Sequence, residues 1–210
     1  MSKTPSTSIR TVALVGHGAA GKTTLAESLL AATGAITSRG TVEKGNTTSD
    51  FDPLEKEFGH SLQTALATLQ WGGAQIHLID TPGYPDFAGQ AIAALAGVDT
   101  ALVVINAQTG IELATERMFN LAGERGLCRM IVINKIDADN VDLAALVNQI
   151  RERFGKECLL LDVPAHHGQD VVELLGHSDG DSDFASVAAA HRALIDQIID
   201  CAPVGMAVID

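Results

Sequence analysis

An α/β fold, in which a mostly parallel sheet is flanked by helices, is predicted by three observations. Short apolar runs alternate with amphipathic segments at βα spacing, the first run feeds straight into a glycine-rich turn and a helix, and the 46% apolar content belongs to a folded globule. The 210 residues suit one domain, or one and a fragment, with a sizeable core. A formal charge of −12 opposes loose electrostatic binding to nucleic acid and speaks against DNA as a partner. The apolar runs fall far short of the roughly 20 residues of a membrane-spanning helix. With the polar opening MSKTPSTSIR, that predicts a cytoplasmic chain with no membrane partner. Three widely spaced cysteines without a CxxC suggest neither a disulfide framework nor a zinc site.

In chain order, TVALV (11–15) is the first strand, and GKTTLAESLLAA forms a helix with Leu25, Leu29 and Leu30 at helical spacing. Residues 37–60 are polar and glycine-dotted with no sustained period, and a loop of that length inside a domain is usually functional. SLQTALATLQW reads as an alternating strand, Gly72 and Gly73 as a turn, and AQIHLI as the hairpin partner. PDFAGQAIAAL is a helix, TALVVIN a buried strand, residues 111–125 a helix and CRMIVIN another strand. VDLAALVNQIRERF is a helix with Asp139 or Asn140 placed to cap it. DVPAHHGQDVVELL is ambiguous and GHSDGDSD is a solvated loop and helix cap. FASVAAAHRALIDQIID is a helix with Phe184, Val187, Leu194, Ile195 and Ile198 on one face. Paired His166 and His167 lack neighbouring ligand types and read as an exposed loop.

Residues 16–23, GHGAAGKT, match G-x-x-x-x-G-K-[ST] between a predicted strand and a predicted helix, which makes the fold that of a P-loop NTPase. Gly16, Gly18 and Gly21 leave room for backbone N–H groups to reach a polyphosphate, and His17, Ala19, Ala20, Thr23 and Thr24 complete the cradle at the positive end of the helix. Lys22 would reach the β and γ phosphates and Thr23 would hold Mg²⁺. Asp80, ending the strand HLID, would hold Mg²⁺ from the neighbouring strand, and Gly83 would offer its N–H to the γ-phosphate. In IVINKID, Asp137 can only accept hydrogen bonds, whereas guanine offers two adjacent donors on one edge and adenine does not. A carboxylate there would select guanine by on the order of 10⁴-fold. Lys135 would lie along the base and Asn134 would tie this loop back to the phosphate loop. The expected ligands are therefore GTP and GDP with Mg.

These motifs in this order, together with GNTTSDFDPLEKEFGHSLQTA, DTPGYPDF and GIELATERM, resemble the elongation factor G family of translation GTPases, and most closely its elongation factor G-like branch, over roughly residues 10–200. The resemblance implies a GTP-driven switch that engages the ribosome within a much longer protein. It implies that Ser61, in FGHSL, supplies the hydroxyl that closes on Mg²⁺, with Thr47 and Thr48 less well placed. The family carries histidine directly after DTPG, toward the attacking water, where this chain has Tyr84, a neutral phenol that would orient the water by hydrogen bonding and stand with Lys22 and Gly83 as the catalytic set. A phenol is a poor base, and losing a water-positioning group typically costs about 10² to 10⁴ in rate, so hydrolysis is expected to be slow without a stimulating partner. The family's last guanine motif, an S-A dipeptide, has no counterpart, because ASVAAA lies in a predicted helix. The fold is therefore expected to lack its last strand and helix. Expected boundaries are a flexible N-terminus at 1–10, a GTP-binding domain at 11–160 and the incomplete start of an inserted subdomain at 161–210. Two alternatives stand beside a ribosomal GTPase: a nucleotide-binding regulatory module with very slow hydrolysis, and a truncated fragment with weakened nucleotide binding.

Overall fold

The computed structural model describes residues 8–201. The chain forms two compact units, one running through Lys135 and one from Ile136. The first holds a five-stranded sheet of order β2-β3-β1-β4-β5. β1 (Ile9–Val15) lies between β3 (Ala74–Asp80) and β4 (Thr100–Asn106), parallel to both, and β4 is parallel to β5 (Cys128–Asn134). Only β2 (Ala65–Trp71) runs antiparallel, joined to β3 by the two-residue Gly72–Gly73 turn. This is the mostly parallel sheet that the βα spacing predicts, with the P-loop motif on the turn from its central strand into α1.

The apolar runs become central strands because both faces of the sheet are covered. Ala13, Leu14, Val15, Ala101, Val103 and Val104 are completely buried. α1 (Lys22–Ala32) contributes Ala26, Leu25 and Leu29 to a cluster with Leu14, Leu78, Leu102 and Val104. α3 (Ala88–Ala94) follows a short 3₁₀ turn at Pro85–Phe87. α4 (Leu113–Glu124) buries Thr115, Met118, Phe119 and Ala122, the i, i+3, i+4, i+7 stripe of an amphipathic helix.

Chain order puts β1 at the point where the connections reverse, since the chain reaches β3 on one side and crosses to β4 on the other. In open α/β sheets the crevice beyond the strand ends at such a point is where ligands bind. The register sets Leu14 beside Asp80 and Asn106 beside Asn134, which brings the ends of β1, β3 and β5 to one edge.

Several elements differ from expectation. β1 begins at Ile9 rather than Thr11, and the expected flexible segment lies outside the described residues for residues 1–7, as does 202–210. The long polar stretch is structured: a 3₁₀ turn at Val42–Lys44 precedes α2 (Pro53–Phe58). Asp52 accepts from Leu54 N while the Glu55 carboxylate reaches back to Asp52 N, and Pro53 begins the helix, a capping box in a segment too short to show a period. Conversely β2 starts only at Ala65, because the N–H groups of Leu62 and Gln63 bind Glu55 instead of a neighbouring strand.

In the second unit, α5 (Leu143–Phe154) is capped by Asp142, which accepts from Ala145 N, not by Asp139 or Asn140. The ambiguous stretch is a hairpin of β6 (Asp162–Ala165) and β7 (Asp170–Glu173), with exposed His166 and His167 in its turn. Asp183 clasps that turn through the His167 and Gly168 N–H groups and so is not a helix cap. α6 (Val187–Cys201) starts after Phe184, and Val163, Leu174, Val187 and Leu194 form the core, leaving Ile198 exposed.

Candidate functional site

The loop leaving β1 is shaped by backbone conformation. Gly21 caps α1 with φ 96°, a left-handed conformation, and a side chain there would collide with Asn134 Nδ2. Because glycine brings no capping side chain, the first turn of α1 keeps its N–H groups directed outward, where an anion is favoured. Ala19 also adopts a left-handed conformation, at φ 59°.

Lys22 is buried and donates from Nζ to the carbonyls of Gly16 at 3.0 Å and His17 at 2.8 Å. Its ammonium is thus folded back into the loop it belongs to. Burial lowers its pKa to about 8, against the pull of Asp80 and Glu112. The N–H of His17 meets the Thr115 hydroxyl at 3.3 Å, and its Nε2 lies 3.4 Å from Glu112 Oε1.

Across from this loop, Asp80 is buried and its pKa rises to about 6, chiefly from desolvation, opposed by the Thr23 hydroxyl and Lys22. Its Oδ2 accepts from Thr23 Oγ1 at 2.7 Å; its Oδ1 and the buried Ser49 hydroxyl, which helps hold the carboxyl down, stop short of a well-formed hydrogen bond. Thr81 anchors the segment by donating to the Leu14 carbonyl. Gly83 passes so close to the loop that a Cβ would collide with Lys22 Nζ and stand 2.6 Å from Gly18 N.

Ser61 Oγ lies 3.2 Å from Thr23 Oγ1 and donates to Asp50 Oδ1 at 2.7 Å. Thr47 is turned away to Asp50 Oδ2, and Thr48 is exposed. Burial raises the Asp50 carboxyl above its ordinary range, the Ser61 hydrogen bond opposing. Thr23, Ser61 and Asp80 form an all-oxygen set suited to Mg²⁺, and Asp80 Oδ1 keeps a lone pair to spare for a cation or its water. Among the described residues no three His, Cys, Asp or Glu side chains gather into a metal site, so such a cation would lean on hydroxyls and phosphate oxygens.

At the end of β5, Asn134 Nδ2 donates to the Ala20 carbonyl at 2.9 Å, a direct tie to the phosphate loop. Lys135 turns the chain at φ 59° and is exposed. Asp137 belongs to the second unit and is exposed there.

Two carboxylates that sequence reasoning missed organise the approach to Ser61. Glu27, on the buried side of α1, accepts from Gly40 N at 2.8 Å and from Thr48 N. Buried Glu55 accepts from the N–H groups of Asp52, Leu62 and Gln63. The D-P-L-E string carries a readable signal for Glu55; Glu27 has none, since its partners lie 13 and 21 residues away.

A family model described as the elongation factor Tu GTP binding domain matches residues 7–203. Elongation factor G 2 of Streptomyces coelicolor is 38% identical over 164 residues, which is 78% of this chain and 24% of that protein. Tetracycline resistance protein TetW of Butyrivibrio fibrisolvens is 38% identical over 149 residues, 71% of this chain and 23% of that protein. A crystal structure from Thermus thermophilus matches with a TM-score of 0.80 at 34% identity, covering 91% of this chain and 31% of its own. The chain thus spans about a quarter of the length of these curated relatives. Among the described residues no helix is long and apolar enough to cross a membrane.

Proposed function

The chain belongs to the family of the elongation factor Tu GTP binding domain, and from that premise we propose that it binds GTP and GDP with Mg²⁺ and hydrolyses GTP as the G domain of an elongation factor G-like factor, working with the ribosome in the cytoplasm. In this reading residues 11–160 form the G domain and 161–210 begin an inserted subdomain. The observation that carries the proposal is the convergence of the Thr23 and Ser61 hydroxyls and the Asp80 carboxylate at the uncapped N-terminus of α1.

The backbone from Gly16 to Thr24 binds the β and γ phosphates, and Lys22 leaves the Gly16 and His17 carbonyls to meet them. Magnesium, when bound, neutralises charge on the phosphate oxygens. Thr23, Ser61 and Asp80 hold it, and the Gly83 N–H steadies the γ-phosphate. Asp137 accepts from guanine, Lys135 lies along the base and Asn134 ties the reading loop to Ala20. Tyr84, a phenol where an imidazole stands in the relatives the sequence resembles, is a weak group for orienting water. Turnover is therefore slow without a stimulating partner, and this residue favours the regulatory-module reading as the second choice.

Labelled GDP titrated into the protein, with GTP and ATP as competitors, tests the reading. GTP is expected to displace the label at least 10³-fold more effectively than ATP, and Asp137→Ala is expected to collapse that ratio. No guanine nucleotide uptake, or equal competition by ATP, would overturn it.

A further inference from the structure

The mouth of the phosphate loop is walled by aromatic rings, of which the nucleotide chemistry gives a task to Tyr84 alone. Tyr84 lies over Gly18, its Cζ 2.9 Å from where a Cβ on that glycine would stand. The His60 ring centroid is 4.5 Å from that of Tyr84, with the planes tilted by 53°. Phe58 and Phe87 flank His60 at 6.0 and 6.2 Å. The other imidazole at this mouth, His17, is 6.3 Å from Tyr84 and has its Nε2 engaged by Glu112.

We propose that His60 is a water-positioning residue for GTP hydrolysis, holding the attacking water through Nε2, and that it enters the site on the same segment that brings Ser61 to the metal. His60 Nδ1 lies 3.3 Å from the Ser61 carbonyl. A carbonyl oxygen only accepts, so Nδ1 carries the proton in that contact and Nε2 is left with its lone pair. That is the tautomer a water O–H requires. The Ser61 hydroxyl faces Thr23 while its carbonyl steadies the imidazole, so one residue links the cation's oxygen set to the water's acceptor. The Tyr84 ring fixes the imidazole plane by contact. In the step itself the water oxygen bonds to the γ-phosphorus, the bond from that phosphorus to the β–γ bridging oxygen breaks with its electrons left on GDP, and the water's proton ends on the released phosphate. His60 orients the water and keeps no proton.

This inference rests on the GTPase reading, and the test separates the two. The full chain and the variants His60→Ala, His60→Leu and His60→Gln are assayed for affinity with a fluorescent GDP analogue and for single-turnover hydrolysis of GTP with Mg²⁺. Affinities are expected within about threefold of the parent. Hydrolysis is expected to fall about 10²-fold in His60→Ala and equally in His60→Leu, which keeps the packing against Tyr84 but has no acceptor. His60→Gln, whose amide oxygen can accept from water, is expected to recover about tenfold. Parent-like hydrolysis in His60→Leu, or no recovery in His60→Gln, overturns the role of His60 while leaving the GTPase reading standing. A parent chain that binds GTP and never hydrolyses it overturns the role as well, and a parent chain that takes up no guanine nucleotide overturns both.

Discussion

Thr23 Oγ1 and Asp80 Oδ2, from the first turn of α1 and the end of β3, share a 2.7 Å hydrogen bond that closes the gap between the phosphate loop and the DTPG segment. The other carboxylate oxygen of Asp80 is buried with no well-formed hydrogen bond, the Ser49 hydroxyl being the group that eases its charge, and a buried acceptor left short of a partner is costly. Asp80→Asn is therefore expected to weaken the Mg²⁺ dependence of nucleotide binding at least tenfold, read by titrating labelled GDP in Mg²⁺ and in EDTA. The raised Asp80 pKa means that its ionisation destabilises the nucleotide-free fold progressively from about pH 4 to about 6. Asn removes that charge, so the nucleotide-free variant should melt no lower than the parent at pH 7. Parent-like Mg²⁺ dependence would contradict the assignment.

Lys22 presents the same trade. Its ammonium is buried and hydrogen-bonded to two carbonyls of its own loop, and desolvation outweighs the attraction of Asp80 and Glu112. Lys22→Met should leave the nucleotide-free melting temperature unchanged or raised by a few degrees while cutting nucleotide affinity at least 10²-fold. A clear fall in melting temperature would show that the lysine serves the fold.

Glu27 predicts a local effect. Glu27→Ala would strand the Gly40 and Thr48 N–H groups at a cost of about 1–3 kcal/mol each. Trypsin cleavage after exposed Arg39 or Lys44 is then expected to quicken about tenfold or more. Glu27→Gln, with one acceptor oxygen, should fall between. Unchanged cleavage in the alanine variant would mean that the loop is held elsewhere.

Asp99 predicts an acid response remote from the nucleotide. Its Oδ2 accepts from the Thr11 hydroxyl at 2.8 Å and the Thr11 N–H at 3.1 Å, which holds its carboxyl below the usual range. Because the folded value is the lower one, the stabilisation is fully present above the ordinary carboxylate range and disappears as pH falls through the lowered value. Asp99→Asn should melt a few degrees below the parent from pH 5 to 7, with the gap closing below about pH 4. The group is exposed, so added salt should narrow the gap too. A gap independent of pH would point to shape rather than charge.

The site was legible where its chemistry is local. GHGAAGKT, DTPG and NKID are contiguous strings, each at the end of a strand that β-type residues announce, and the sheet register brings those ends together. Glu27 was not legible because a buried carboxylate on an amphipathic helix looks like any solvated glutamate until its backbone partners are known. His60 and Tyr84 meet across 24 positions of sequence, so their contact has no local pattern. α2 was missed for a different reason: six residues are too few for helical periodicity, though the Asp52–Glu55 box and Pro53 mark its start. In the same way β2 lost its first four expected residues to Glu55, a competitor for backbone N–H groups that alternation cannot reveal.

Thr23 and Glu27 are four residues apart and so stand one above the other along α1. Both grip the polar stretch between the first helix and β2, Glu27 near its beginning at Gly40 and Thr48, and Thr23 near its end at Ser61. The slack between these rivets is only the span from Thr48 to Ser61, and α2 already takes up half of it. Seating Ser61 thus resembles shutting a short hinged flap more than spooling in a free thread, and any nudge given to the helix by phosphates at its tip is carried to both rivets at once.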